Sequence, residues 1–275
     1  MLYPNPKTPN PSNPSYLDAR YEIRQLDPSH APWAAALIAH ANVFHSPVWP
    51  ILYPIDKSSL VRAVFTSCAY LVHHQIASGL SFGAFDTQWT YSSHEAALAG
   101  EKLHWSDEMR DESGQVFLEG MDFPRVSVAL GFDAFERLDV QGMMPSLTTL
   151  PHFGLVGEIL AERDGREPGS RRPTGSGQVV QRNATATRRG YAGRGVMAEL
   201  ARWVMREADA RGYRVVQITC LEDRVTRVWS EPEKPYRGEV VSRLEMETWR
   251  DKEGRIAFRP CKQVASRCYV NLKPE

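Results

Sequence analysis

The chain has 275 residues, of which 42% are apolar, and its 33 basic and 33 acidic residues give a formal net charge of zero. This composition is sufficient for a buried core and excludes wholesale disorder. A neutral chain lacks the basic surface that nucleic acids and anionic membranes select, so we expect neither as a partner. The four cysteines show no CxxC spacing, which predicts free thiols in a reducing, cytoplasmic compartment and no metal site.

The first 18 residues are rich in proline and predict a disordered tail, followed by a single domain over residues 19–275. Ala63 to Phe85 contains no formal charge over 23 residues, a length that could span a membrane. His73, His74 and Gln75 lie in its middle, and Gly79 follows. We therefore predict a buried helix over residues 58–78 and a strand over 80–86. Before these, we expect a strand over 21–26 and a helix over 30–42.

Residues 88–177 contain a long insertion. Its segment from Glu101 to Glu167 holds 14 acidic and 6 basic residues. We expect helices over 107–121 and 144–164 and a strand over 125–134 within it. Acids such as Asp133 and Glu158 would then attract a cationic amine into an acceptor pocket. The alternative is an insertion that only covers one face of a sheet.

Residues 168–198 form the most informative segment. They contain six arginines (171, 172, 182, 188, 189 and 194) and no acid. A predicted strand over 178–187 leads through the turn RRGYAGRG to a strongly amphipathic helix over 195–211. Glycines let the backbone approach a ligand closely, and the first N–H groups of a helix attract anions. No Lys-Ser/Thr follows the glycines, and their order is GxxGxG, so a pyrophosphate turn fits better than a Walker A or dinucleotide motif.

The segment from Thr185 to Ile218, TATRRGYAGRGVMAELARWVMREADARGYRVVQI, resembles the GNAT acyltransferase superfamily, and the chain is similar to its larger fungal members. The pyrophosphate loop of that family, [QR]-x-x-G-x-[GA], corresponds to Ala192–Met197. Gly195 matches the central glycine, whereas Ala192 and Met197 depart from the pattern. The resemblance implies an α/β (α+β) fold whose mixed, mostly antiparallel sheet has splayed middle strands and flanking helices. The long insertion precedes its CoA-binding strand.

The resemblance also implies acetyl-CoA as co-substrate, an amine as acceptor, and a monomer or homodimer. The strand over 178–187 and a later strand over 214–221 would diverge around the thioester, and a backbone N–H near Thr185 would stabilise the oxyanion. The backbone would bind the pantetheine arm and the pyrophosphate. The residues expected to bind acyl-CoA are Thr185, Ala186, Thr187, Arg188, Gly193, Arg194, Gly195, Val196, Met197, Ala198 and Trp229.

Catalytic groups are harder to assign. Gln181 lies where some relatives carry a basic Glu, and Trp229 lies where many carry an acidic Tyr. Neither side chain can replace the group it stands for. The candidates that remain are Tyr236 as acid and Glu222 or Asp133 as base. Each has a structural alternative, as do four further side chains that could enter the site: His45, His104, His152 and Cys220.

Three functions follow from these patterns. The first is an acyl-CoA-dependent N-acyltransferase that acts on the amine of a small molecule. The second is a CoA-binding or sensing protein without turnover, and the third is a nucleic-acid-binding module that uses the arginine-rich segment. Stabilisation by acetyl-CoA and release of free thiol would distinguish them.

Overall fold

The computed structural model describes residue 10, residues 12–167 and residues 172–274. Its main sheet has seven strands in the order β1-β2-β5-β6-β7-β9-β8, and β3 and β4 form a separate pair. The strands are β1 (Tyr21–Gln25), β2 (Phe82–Asp86), β3 (Lys102–Leu103), β4 (Met121–Asp122), β5 (Arg125–Asp133), β6 (Val179–Thr187), β7 (Val215–Cys220), β8 (Arg237–Glu245) and β9 (Val264–Asn271). Within the main sheet only β6 and β7 are parallel, which confirms the predicted mixed, mostly antiparallel sheet.

Helices cover both faces of this sheet. Their bounds are α1 (Ala31–Phe44), α2 (Trp49–Leu52), α3 (Lys57–Ser67), α4 (Ala69–Ala77), α5 (His94–Ala99), α6 (Gln115–Glu119), α7 (Val140–Thr149), α8 (Pro151–Glu162), α9 (Val196–Ala210) and α10 (Asp223–Ser230). Alternate residues of β5 contact opposite layers, as the two-residue repeat of a strand requires. Val128 packs with α1, whereas Ala129 packs with Leu200 and Trp203 of α9.

The parallel pair β6 and β7 parts half-way along its length. Its pairing runs from Val179 opposite Val215 to Arg182 opposite Ile218, but β6 continues to Thr187. Beyond this point each strand is paired only on its outer side, β6 with β5 and β7 with β9. The predicted divergence of the two middle strands is confirmed.

A β-bulge at Asn183 lies where the two strands separate. Leu130 of β5 faces Ala184, but the next residue, Gly131, faces Arg182. An unpaired residue shifts the alternation of side chains by one position. Arg182 and Thr185, three residues apart, therefore reach the same face of the sheet and are hydrogen-bonded to each other.

Several predicted elements are shorter or divided. The expected helix over 58–78 breaks at Cys68 into α3 and α4, and the one over 144–164 divides at Leu150, where Pro151 begins α8. In place of the expected helix over 107–121, the structure has only the short α6, and Met121 already belongs to β4. Helix and strand propensities did not predict where these elements break or end, because tertiary contacts determine those positions. No helix in the described part of the chain is long and apolar enough to cross a membrane.

The predicted tail, residues 1–18, lies partly outside the described residues, since 1–9 and 11 are not described. Within that predicted tail, Asn13 is only 5% exposed. Its carbonyl accepts a hydrogen bond from the Trp203 indole N–H at 2.8 Å, and its amide donates to the Trp203 carbonyl. Composition does not indicate these two hydrogen bonds to α9, because they depend on one specific pair of residues.

Candidate functional site

A cavity of about 600 Å³ occupies the gap between β6 and β7 and opens towards the first turn of α9. Its walls come from both layers of the fold, with α9 and α10 on one side and α1, α3, α7 and α8 on the other. It is lined by the diverging ends of the two strands, Asn183–Thr187 and Ile218–Leu221. The parting of the strands thus connects the glycine-rich turn with helices α1, α3, α7 and α8.

The amino end of α9 presents unpaired amides to this cavity. Gly193 and Gly195 both have a φ of 77°, which favours glycine, and a Cβ at either would meet nothing within 4 Å. Gly195 is the N-cap residue, and no side chain caps the helix. The first helical bond joins the Glu199 N–H to the Gly195 carbonyl. The N–H groups of residues 196–198 are therefore available to an anion, and all three residues line the cavity.

Exposed arginines surround this end of the cavity. Arg194 lies over the Tyr191 ring at 5.3 Å, and Arg189 donates to His45 Nδ1 at 2.7 Å. Arg224, in the first turn of α10, also lines the cavity. Arg224 was not among the predicted residues because it lies 29 positions after the glycine-rich turn, and only the fold brings it to the same opening.

Arg188 does not reach the cavity, contrary to the expectation that it binds acyl-CoA. It is 8% exposed, and its guanidinium donates to the carbonyls of Met121 and Leu118 at 2.7 and 2.8 Å. The ring of Trp89 covers it at 4.6 Å. Burial lowers its pKa to about 10. Its role in the structure is to hold the insertion against the end of β6.

The arginine-rich segment does not form one basic surface. Arg171 lies outside the described residues, Arg172, Arg189 and Arg194 are exposed, and Arg182 and Arg188 are buried. The charge pattern alone could not show this division, because it depends on which strand positions face the core.

Trp229 and Tyr236 also lie away from the cavity lining. Trp229 is fully buried in the core between α10 and the sheet. The Tyr236 hydroxyl donates to Asp209 Oδ2 at 3.0 Å, and burial raises its pKa to about 12. Tyr236 lines a separate, smaller cavity against α9. Neither predicted role has support from this placement.

Asp133 likewise lies outside the lining. It is 3% exposed and accepts hydrogen bonds from the Ser176 hydroxyl at 2.7 Å and the Gly177 N–H at 2.6 Å. Burial alone would raise the pKa of Asp133, but these hydrogen bonds outweigh it and lower the pKa. Glu158 is exposed on α8 outside the cavity. None of the described acids of residues 101–167 lines the cavity, so the predicted role of Asp133 and Glu158 in attracting an amine has no support.

Glu222 is the one predicted catalytic residue that lines the cavity. It lies two residues after the end of β7, beyond the part of this strand that pairs with β6, and is half-buried. It is the N-cap residue of α10, yet its side chain makes no capping hydrogen bond. Among the described residues its carboxylate has no hydrogen bond or ion pair. A carboxylate in this position can accept a proton directly or through water.

Of the three histidines considered, only His45 lines the cavity. Burial, and then the charge of Arg189, lower its pKa to about 4. Because Arg189 donates to Nδ1, the neutral ring carries its proton on Nε2. The His152 ring is hydrogen-bonded to the Tyr53 hydroxyl and the Ala257 carbonyl. His104 follows β3 directly and is hydrogen-bonded to the Ser93 hydroxyl.

Cys220 lines the cavity, but its thiol donates to Cys268 Sγ at 4.0 Å. This hydrogen bond and burial raise the pKa of Cys220 well above its usual value. A thiol that resists ionisation is a poor nucleophile, so the structure favours the buried thiol over an acyl-cysteine.

The end of the cavity opposite α9 is largely apolar. Val64 and Leu71 are buried residues of α3 and α4, Leu150 lies between α7 and α8, and Phe153 belongs to α8. Ser67, Ser146 and Asn42 add uncharged polar groups. Glu222 is the only acid in the described lining, so this end suits a molecule with an apolar body and few charges.

The fold is shared with solved structures. The C-terminal condensation domain of Ebony in complex with beta-alanyl-dopamine superposes with a TM-score of 0.61 at 15% identity, covering 90% of this chain and 97% of that one. Arylalkylamine N-acetyltransferase 2 from Aedes aegypti gives 0.54 at 10% identity, covering 92% and 99%. An agmatine N-acetyltransferase in its apo form gives 0.50 at 14% identity, covering 91% and 98%. The chain has the GNAT fold.

The GNAT fold is evident here from structure more than from sequence. No family model matches the chain, and no curated protein matches it. The segment Thr185–Ile218, in which the sequence resembles this superfamily, runs from the end of β6 through α9 into β7. Within the described residues, no group of His, Cys, Asp or Glu could hold a metal ion.

Proposed function

We propose that this protein is an acyl-CoA-dependent N-acyltransferase, with acetyl-CoA as the donor and a small amine with an apolar body as the acceptor. One observation carries the proposal: the uncapped end of α9 opens into the same cavity that separates β6 from β7. An anion site and a slot between strands are what a ligand with a diphosphate and an extended thioester arm requires.

The chain's own groups fit such a donor. The N–H groups of residues 196–198 would hold the diphosphate, with Arg194 and Arg224 adding positive charge at the opening. The inner edge of β6 beyond Arg182 has no strand partner on the β7 side. An extended arm could therefore pair with the backbone of residues 184–187.

The amine must lose a proton during acyl transfer, and Glu222 is placed to accept it through water. The amine nitrogen forms a bond to the thioester carbon, the C–S bond breaks with its electron pair on sulfur, and the proton lost by nitrogen balances the one gained by the thiol. The carbonyl oxygen becomes negatively charged on the way, and backbone N–H groups at the bulge would stabilise that charge.

The acceptor class is inferred from the apolar end of the cavity. Two of the structural neighbours are described as an arylalkylamine N-acetyltransferase and as a domain bound to beta-alanyl-dopamine. Val64, Leu71 and Phe153 would contact the body of a comparable amine in this chain. Its amino group would lie towards Glu222.

The test combines binding with turnover. Acetyl-CoA at about 100 times its Kd should stabilise the fold by about 2.7 kcal/mol, read as a rise in Tm. Free thiol should then appear when 2-phenylethylamine is added, faster than with agmatine. Binding without thiol release from any amine would indicate a CoA-binding protein without turnover. No stabilisation by acetyl-CoA would contradict the proposal altogether.

A further inference from the structure

Arg182 is a fully buried arginine with no acidic partner among the described residues. Its exposed fraction is 0%, and it lies on β6 immediately before the bulge at Asn183. Its guanidinium donates to the Leu130 carbonyl and to Thr185 Oγ1, the latter at 3.0 Å. The Trp229 ring lies 5.8 Å away. Burying a guanidinium without an acidic partner costs free energy. A functional role next to the cavity would explain why an arginine occupies this position.

The bond from Arg182 determines what the Thr185 hydroxyl can do. A hydroxyl has one proton to donate and lone pairs to accept with. Thr185 Oγ1 accepts from the guanidinium, and within residues 12–167 and 172–274 the hydroxyl has no other hydrogen-bond partner. Its proton is therefore left to donate, and Thr185 lines the cavity where the strands part. Donation from a cation also polarises the O–H bond and strengthens it as a donor.

The neighbouring threonine shows the contrast. Thr187 lines the same cavity two residues further along β6, but its hydroxyl is bonded to the Ser127 hydroxyl at 2.8 Å. Of the two hydroxyls, that of Thr185 accepts its hydrogen bond from an arginine, whereas that of Thr187 shares one with the Ser127 hydroxyl. Thr185 is also the one nearer to the bulge and to the point of separation.

We propose that the Thr185 hydroxyl is a catalytic hydrogen-bond donor to the reacting thioester, and that Arg182 is the positioning residue that orients and polarises it. The inference rests on the proposed acyl transfer. It assigns to these two side chains a share in stabilising the negative charge, beside the backbone N–H groups at the bulge, whereas Tyr236, the predicted acid, lies outside the cavity lining.

The hydroxyl donates without losing its proton. As nitrogen bonds to the carbonyl carbon, negative charge moves to the carbonyl oxygen, and as the C–S bond breaks it moves to sulfur. An aliphatic alcohol is a much weaker acid than a thiol, so its proton stays on Oγ1 throughout. The thiolate is instead protonated by the proton that the amine releases and Glu222 carries.

The first experiment removes only the hydroxyl. Thr185→Val keeps the shape of the side chain and should lower kcat about 100-fold, the effect typical of losing one such donor. Thr185→Ser keeps the hydroxyl and should restore kcat to within about fivefold of the wild type, since the donor remains. The Kd for acetyl-CoA should change less than about twofold in both, because the hydrogen bond becomes strong only when negative charge develops in the transition state. A wild-type kcat in Thr185→Val would overturn the assignment.

The second experiment asks whether Arg182 acts through Thr185. Arg182→Met should lower kcat in the wild-type background but add little to the loss in Thr185→Val, because the two groups form one unit. Unfolding midpoints measured in parallel separate this from a general loss of stability. Equal losses in both backgrounds would show that Arg182 is structural only.

The outcomes also separate this inference from the proposed function. If the wild type consumes acetyl-CoA with 2-phenylethylamine and Thr185→Val matches it, only the role of Thr185 is wrong. If the wild type neither binds acetyl-CoA nor releases thiol, both proposals are overturned.

Discussion

The two ends of the cavity are built on different principles. At the α9 end the ligand-facing groups are backbone amides, made available by two glycines with a positive φ and by a helix without a capping side chain. At the opposite end they are side chains from α3, α4, α7 and α8, four helices that are separate in sequence. One end depends on local conformation, and the other depends on how distant helices pack.

This difference explains what each end can recognise. Backbone amides bind any diphosphate of suitable geometry and leave the rest of the sequence free to vary. Apolar side chains select a ligand by shape, so that one substitution can change the preferred acceptor. We therefore expect variants at the two ends to affect different kinetic constants.

The largest effect should come from a negative charge at the α9 end. Ala198→Asp places a carboxylate among the amides of the first turn, where it would compete with the diphosphate and repel it. We expect the Kd for acetyl-CoA to rise at least about 100-fold without a lower Tm, since acids are favoured at this end of a helix. Ala198→Asn is matched in size but uncharged and should lose far less affinity. Equal affinity in Ala198→Asp and the wild type, measured by calorimetry, would contradict the amide site.

The next effect concerns the carboxylate between the two ends. Glu222→Gln removes a proton acceptor without changing size and should lower kcat about 100-fold, at the low end for a general base. The Kd for acetyl-CoA should stay unchanged. Asp223→Asn alters the adjacent, exposed carboxylate outside the lining and serves as the control. If both variants lose activity equally in a thiol-release assay, Glu222 has no special role.

Acid should lower the stability of α1, which packs against α3 of the acceptor end. His40 of α1 is 1% exposed and donates to the Gly114 carbonyl, and burial lowers its pKa from 6.5 to about 4. As the pH falls, His40 is protonated in the unfolded chain before it is protonated in the folded chain. Its contribution to the free energy of unfolding is therefore complete above about pH 6.5 and is lost as the pH falls towards 4. At about pH 5 the loss should be about 2 kcal/mol. His40→Gln should show a shallower fall in unfolding free energy between about pH 7 and 5 than the wild type. Parallel curves would rule out this contribution.

The smallest effect should appear in acceptor recognition. Phe153→Ala enlarges the apolar end and should raise KM for 2-phenylethylamine about tenfold, the value of one lost apolar contact. KM for acetyl-CoA should be unaffected. Phe135→Ala provides the control, because Phe135 is 51% exposed and does not line the cavity. A rise in KM for acetyl-CoA instead would mean that the two ends are not separate.

The same contrast accounts for what the sequence could predict. The α9 end was predictable because its signal is local: a strand, a glycine-rich turn and an amphipathic helix lie within Gln178–Arg211. The mixed sheet and its diverging strands followed from the resemblance in that segment.

The acceptor end could not be predicted in the same way. Val64 and Leu150 are 86 positions apart in sequence and meet only in the folded chain. The inward turn of Arg188 and the bulge at Asn183 are likewise set by β5 and the insertion. No pattern in the sequence marks either, because both depend on the register between strands.

A crystal structure with CoA bound tests the central claim most directly. The account predicts diphosphate oxygens about 2.7–3.2 Å from the N–H groups of residues 196–198, the range for such bonds. It also predicts the thiol between Asn183 on β6 and Thr219 on β7. CoA bound elsewhere, with those amides facing only solvent and the gap between the strands empty, would contradict it.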